Sequence, residues 1–169
     1  MNSDDSIKKR SGYARDSARS LLSEYFRAYP PARIPVPVEE IVQYLGFELH
    51  LLDNLDENHR AIKLELPEED RKLIGLNAKY HIHNRRFSIG HEIGHHVLAH
   101  PPESDCTDEE IKTYNREADE FAGELLMPLE ELKRCMKSNK DPKSLAKEFL
   151  VSEQALWIKI KNQNLINLL

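Results

Sequence analysis

The sequence predicts an α+β fold in which a small three-stranded sheet precedes two longer helices, with a helical hairpin at the C-terminal end. Three short stretches with alternating apolar residues lie before residue 78. Two longer segments with apolar residues at helical spacing follow them. The chain has 169 residues, of which 40% are hydrophobic and 31% charged, so it can bury a core without help from a metal or disulfide.

Two helices are predicted before the first strand. Apolar residues at helical spacing over 14–29 predict an amphipathic helix that ends at Pro30. Residues 38–45, followed by Gly46, predict a short helix with a glycine cap. The charged segment 1–10 lacks the apolar stretch of a secretory signal, and we expect it to be a frayed tail.

Three strands are predicted next, at 47–51, 60–66 and 72–77, since apolar and polar residues alternate in each. The histidines within 79–83 also alternate, which predicts a strand or a strand end with both rings facing outward.

A buried helix then carries the pattern H-E-x-x-H. His91 and His95 lie one above the other on such a helix, with Glu92 directed toward the same point. Gly94 lowers helix propensity, which indicates close packing, and Pro101 stops the helix.

This spacing predicts a zinc hydrolase. Zinc held by two histidines and a third protein ligand keeps one position for water, acidifies that water and polarises a carbonyl. Glu92 is the candidate general base that takes the proton from the water.

The neighbouring histidines and the cysteines are weaker candidates for the metal. His96 is rotated about 100° from His95, which favours a solvated or hydrogen-bonded role. His100 is predicted to interact with the negative end of the helix dipole, with a place in the lining of the cleft as the alternative. Cys106 and Cys135 lie far apart, which argues against a cysteine zinc site and is typical of a reducing compartment.

A second long helix is predicted from about Glu109 to Pro128. The tail behind it has the rhythm of helix, turn, helix, with Ser152 as a candidate N-cap. We therefore expect a main domain over 1–135 and a helix-turn-helix-like appendage over 136–169, packed on it.

The overall charge favours a protein partner. A net charge of −5 and a pI near 5.9 disfavour direct binding to nucleic acid, and Lys159 and Lys161 form only a thin basic patch in the tail. The apolar runs are too short to span a bilayer, so no membrane partner is expected.

Two segments in order, 86–95 and 117–128, resemble the ImmA/IrrE-type zinc metallopeptidases, and the resemblance extends over nearly the whole chain. It implies a compact zincin-like α+β domain, a Zn²⁺ cofactor and proteolysis of a transcriptional repressor of the helix-turn-helix type. It also implies a bacterial protein in the cytoplasm.

One position departs from the family pattern. The resemblance places the third metal ligand, a glutamate in the family, at Asn115, and it implies that Asp119 orients a ligand histidine. Three alternatives stay open: Asn115 binds the metal weakly, Asp119 or Glu117 substitutes for it, or the metal site is degraded. Glu117 and Glu120 are otherwise expected on the solvated face of their helix.

The leading hypothesis is a zinc-dependent endopeptidase that cleaves a protein substrate with metal-activated water and Glu92 as general base. The alternative is a noncatalytic, protein-binding regulator that keeps the fold. A third hypothesis, a DNA-associated regulator acting through the tail, is disfavoured by the acidic charge balance.

Overall fold

The chain combines helices with a small sheet in residues 3–169, the part that the computed structural model describes, with side chains from residue 8 onward. The elements are α1 Ser3–Ala28, α2 Val38–Tyr44, β1 Phe47–Leu52, β2 Ala61–Leu66, β3 Arg71–Asn77, α3 Ile82–Val97, α4 Asp108–Leu126, α5 Leu129–Ser138, α6 Pro142–Phe149 and α7 Glu153–Asn162. The predicted α+β fold is confirmed.

The sheet has the order β1-β3-β2, with β3 in the centre. β1 runs parallel to β3, with Phe47 opposite Lys72, and β2 runs antiparallel to β3, with Ala61 opposite Leu76. β3 buries Ile74 and Leu76, as expected for a central strand. The three predicted strands agree with these bounds to within one residue.

The first helix packs along α4 through alanines and charged pairs. Ala14 and Ala18 of α1 are fully buried, which allows close approach between the helices. Beside them, Arg15 donates to Glu120 at 2.7 Å and Arg19 donates to Glu124 at 2.8 Å. The second pair lies four residues after the first on both helices, so the two pairs fix how α1 is aligned along α4.

Helices α3 and α4 cross at unusually short distance because two glycines of α3 face alanines of α4. A Cβ placed on Gly90 would lie 3.0 Å from the Cβ of Ala122, and one on Gly94 would lie 3.1 Å from the Cα of Ala118. The close packing at Gly94, predicted because glycine lowers helix propensity, is confirmed. This crossing brings short polar side chains of α4 within reach of the histidines on α3.

Two predictions of local structure are wrong. The predicted frayed tail is helical from Ser3, while Met1 and Asn2 lie outside the described residues. The predicted strand at 79–83 is instead a turn and the start of α3, where the His81 side chain accepts a hydrogen bond from the backbone N–H of His83. An alternation of only five residues does not distinguish a strand from a helix cap.

The C-terminal helices share the core of the rest of the chain. Phe149, Leu156 and Ile160 are fully buried in the same apolar cluster as Ala14 and the sheet residues. The Ser152 cap is confirmed, since its hydroxyl accepts from the N–H of Ala155. The expected domain boundary at residue 135 falls within α5, a helix that was not among the predicted elements.

Lys159 is buried rather than part of a basic patch, because its ammonium pairs with the carboxylate of Glu124 on α4. The tail therefore presents less positive charge than the sequence indicates. None of the helices in the described residues combines the length and apolar character needed to cross a membrane.

Candidate metal centre

His91 and His95 occupy one face of α3 and turn their Nε2 atoms toward each other at 3.0 Å. The neighbouring residues Ile89 and Ile93 are buried and hold this helix in the core, leaving the histidines at its edge. The side-by-side placement predicted from their spacing is what the structure has.

Helix α4 supplies two side chains to the same place, Asn115 and Asp119. The Oδ1 of Asn115 lies 3.1 Å from the Nε2 of His95. The Oδ1 of Asp119 accepts a hydrogen bond of 2.8 Å from the Nδ1–H of His91, on the ring edge opposite to Nε2. Asn115 thus lies on the side of the Nε2 atoms, and Asp119 lies behind His91.

The donor set fits a zinc ion. In a tetrahedral site with bonds of about 2.05 Å, ligand atoms lie about 3.3 Å apart, close to the 3.0 and 3.1 Å found here. Two imidazole lone pairs at 3.0 Å repel each other unless a shared proton or a metal ion lies between them. His91, His95 and Asn115 thus direct three potential electron-pair donors toward one point, as zinc coordination needs.

The two histidines differ in their affinity for a proton. Burial, followed by the nearby rings of His91 and His100, lowers the pKa of His95 to about 4. Burial also acts to lower the pKa of His91, but the hydrogen bond and the charge of Asp119 outweigh it, so that this pKa is raised. His95 thus presents a neutral Nε2 near pH 7, the form in which histidine binds metals.

Glu92 borders a cavity of about 230 Å³ beside the two histidines. The wall consists of the segment before and at the start of β2 and of side chains from α3 and α4, namely Asn58, His59, Arg60, Ala61, Phe87, Ser88, His91, Glu92 and Asp119. Burial raises the pKa of Glu92, while the charges of His91 and Lys63 oppose that rise. A carboxylate with a raised pKa beside a metal position is suited to accept a proton from water.

Glu117 is not on the solvated face of α4, contrary to expectation. Only 9% of its side-chain surface is exposed. Its Oε1 accepts from Arg10 of α1 and its Oε2 accepts from the Nε2–H of His100 at 2.9 Å. Both oxygens are engaged away from the His91–His95 pair. Glu120 is half-buried and pairs with Arg15.

His100 has a place in this centre that its sequence position did not reveal. Its Nδ1 lies 3.0 Å from the Nδ1 of His95. The chain reverses after α3 because Ala99 adopts a left-handed conformation with φ of 53°, and the N–H of His100 then bonds to the carbonyl of His95. Glycine is the usual signal for this turn, so an alanine gave no warning of it.

Among the residues that the structure describes, no three His, Cys, Asp or Glu side chains meet at a point suited to a metal ion. The set at the centre instead consists of two imidazoles and one amide. Cys135 is a buried free thiol, and burial raises its pKa to about 11, so that it stays protonated and is unsuited to bind a metal ion.

Comparison with known proteins agrees with this architecture. The structure is similar to that of a Mycobacterium tuberculosis transcriptional regulator, with a TM-score of 0.63 and 16% identity over 88% of this chain. The match covers 47% of that protein, so this chain spans about half of its length, and at this identity the likeness concerns the fold. No significant match is found among curated proteins.

The profile of the peptidase M78 family, described as the IrrE N-terminal-like domain, matches residues 42–161, which include every residue of the centre on α3 and α4. The resemblance seen in the two sequence segments is confirmed: the chain belongs to the IrrE N-terminal-like family of peptidase M78 domains.

Proposed function

We propose that this protein is a zinc-dependent endopeptidase that cleaves a protein substrate. The observation that carries the proposal is the convergence of the Nε2 atoms of His91 and His95 with the Oδ1 of Asn115, next to Glu92 in its cavity. Membership of a peptidase family supports the same reaction.

His91, His95 and Asn115 would hold the zinc ion, which supplies a Lewis acid for the peptide carbonyl and acidifies water. Asp119 fixes the ring of His91 by accepting from its Nδ1–H, so that Nε2 stays available. Glu92 accepts a proton from the attacking water at a carboxylate oxygen and then delivers it to the nitrogen of the departing amine. Lys63 on β2 adds positive charge near that carboxylate.

The substrate we propose is a transcriptional repressor of the helix-turn-helix type, encountered in the cytoplasm. The support is the family membership together with the acidic net charge of −5, which favours a protein over nucleic acid. The burial of Lys159 further weakens a DNA-binding role for the tail.

A noncatalytic, protein-binding regulator is the second candidate, and Asn115 is the observation that favours it. An amide oxygen is a weaker zinc ligand than the carboxylate expected there, so the ion could be held too weakly for sustained turnover. Under this alternative the cavity beside Glu92 binds a protein segment without cleaving it.

Digestion of a proteome-derived peptide library tests the proposal, with cleavage sites read by mass spectrometry. The wild type loaded with zinc should produce new termini. Glu92→Gln should still bind zinc but lose cleavage by about 100-fold or more, because a positioned general base contributes about 10²–10⁴ in rate. His91→Ala should lose both zinc and cleavage.

The matched preparation of Glu92→Gln controls for contaminating peptidases, since it is purified in the same way and retains the metal. Zinc-loaded wild type that leaves the library and a helix-turn-helix repressor intact would exclude the endopeptidase. Retained binding of that repressor would then establish the noncatalytic alternative.

A further inference from the structure

Behind the metal centre, a chain of polar side chains runs from His95 to the first helix. It passes from the Nδ1 of His95 to His100, from the Nε2 of His100 to Glu117, and from Glu117 to Arg10. His100 and Glu117 expose only 4% and 9% of their side-chain surface, so water does not replace these contacts. Arg10 lies outside the family match at 42–161.

The direction of each hydrogen bond in this row of side chains follows from the Arg10 end. Glu117 accepts from Arg10 at one oxygen and can only accept at the other, so His100 donates from its Nε2–H. A neutral His100 then has a lone pair on Nδ1, and His95 must donate to it from Nδ1–H. His95 is thereby left with its lone pair on Nε2, the atom that faces His91 and Asn115.

We propose that Arg10, Glu117 and His100 are positioning residues that hold His95 in the tautomer and orientation required for zinc binding, so that the first helix takes part in the metal centre. The inference rests on the proposed zinc site. Asp119 supports His91 through one direct hydrogen bond. His95 receives the same kind of support from His100, which is held in turn by Glu117 of α4 and Arg10 of α1.

The contact of His100 with the ring of Tyr114 allows two substitutions of His100 to separate its hydrogen bonding from its packing. The Tyr114 ring lies against the ring of His100, with centroids 4.5 Å apart, and the guanidinium of Arg10 lies over the Tyr114 ring at 5.6 Å from its centroid. Phenylalanine at position 100 can keep this ring contact but has neither donor nor acceptor. Glutamine loses the ring contact, yet its side-chain oxygen can accept from His95 and its amide can donate to Glu117.

The test is the Kd for Zn²⁺ of the full chain, measured by competition with a chelating dye at a temperature where every variant is folded by circular dichroism. We expect His100→Phe to weaken zinc binding by about 10- to 100-fold, the effect typical of lost support behind a metal ligand. His100→Gln should recover much of this loss. If His100 only fills space, the order reverses and His100→Phe binds zinc more tightly than His100→Gln.

A matched pair of arginine variants tests the contribution of α1. Arg10 and Arg19 each pair with a glutamate of α4 and expose similar fractions of their side chains, 47% and 43%. Arg10→Ala should weaken zinc binding several-fold, whereas Arg19→Ala should leave the Kd unchanged because Glu124 has no contact with the histidines. Equal effects of the two variants on the Kd would overturn the role of Arg10.

Side-chain ¹⁵N NMR of the zinc-loaded wild type provides a second readout, with protons expected on Nδ1 of His95 and Nε2 of His100. A proton on Nδ1 of His100 contradicts the proposed order of donors. If the wild type fails to hold zinc, the proposed function fails and this inference with it. If the wild type holds zinc and the His100 variants bind it equally well, only this inference fails.

Discussion

Asn115 is the residue on which the strength of the metal centre depends. Its amide oxygen lies where the family pattern has a carboxylate, at 3.1 Å from His95. The two carboxylates considered as substitutes for Asn115 are bonded elsewhere. Asp119 contacts the Nδ1 edge of His91, and Glu117 accepts from Arg10 and His100. The geometry therefore favours Asn115 itself as the third ligand.

Replacing Asn115 by aspartate should tighten zinc binding by about 10-fold or more, because an anionic oxygen of the same reach replaces a neutral one. The measurement is the Zn²⁺ Kd by chelator competition. Asn115→Leu, which removes the oxygen and keeps the approximate volume, is the control and should weaken binding. An unchanged Kd in both variants would show that residue 115 is not a ligand.

The crossing of α3 and α4 decides which side chains meet at the centre. Gly94 and Gly90 place no Cβ of α3 between the helices, and the backbone of Ala118 comes to 3.1–3.2 Å from the position of a Cβ on Gly94. A side chain as short as Asn115 can reach His95 only because the helices approach this closely. Close packing and metal geometry therefore depend on the same two glycines.

Gly94→Ala should lower the free energy of unfolding by about 1–2 kcal/mol, since overpacking costs about 1–3 kcal/mol and alanine returns up to about 1 kcal/mol of helix propensity. The neighbouring atoms are the backbone of Ala118 and the Cβ of Phe121, and none of them can rotate away. Denaturant titration of the zinc-free chain measures the change.

Gly123→Ala on α4 is the matched control, because a Cβ there meets no heavy atom within 4 Å. This variant should raise stability by up to about 1 kcal/mol. If Gly94→Ala proves equally stabilising, the tight crossing does not constrain the fold.

The core extends through all parts of the chain that the structure describes. Phe149 and Leu156 of the C-terminal helices belong to the same buried cluster as Ala14 of α1 and Ile74 of β3. The buried pair of Lys159 with Glu124 adds a polar link between α7 and α4. The expected division into residues 1–135 and an appendage stays a prediction that unfolding experiments can address.

We expect the chain to unfold in a single cooperative transition because a shared core couples the tail to the sheet and the first helix. Trp157, the only tryptophan, lies on α7 and reports on the tail by fluorescence, while far-UV circular dichroism reports on all helices. The two midpoints in urea should coincide. An earlier fluorescence transition would establish the tail as a separately unfolding unit.

Features with a local cause were predictable. Apolar periodicity predicted the three strands and the long helices, and the spacing of His91 and His95 predicted the face that they share. The turn at Ala99 was not predicted because an alanine stands where a glycine usually marks such a turn. Helix α5 was not predicted either, although its buried residues Leu132, Cys135 and Met136 have helical spacing.

The order of residues alone was enough to predict the α+β fold and the helix that carries His91, Glu92 and His95, because these follow from patterns within about two turns of chain. The family resemblance pointed to Asn115 and Asp119, but the contacts of Glu117, His100 and Arg10 became apparent only from the folded chain. Arg10 and Glu117 stand 107 residues apart and meet because α1 packs on α4. Contacts of that kind are decided by which helices cross and how closely, and no local pattern encodes the distance between two helices.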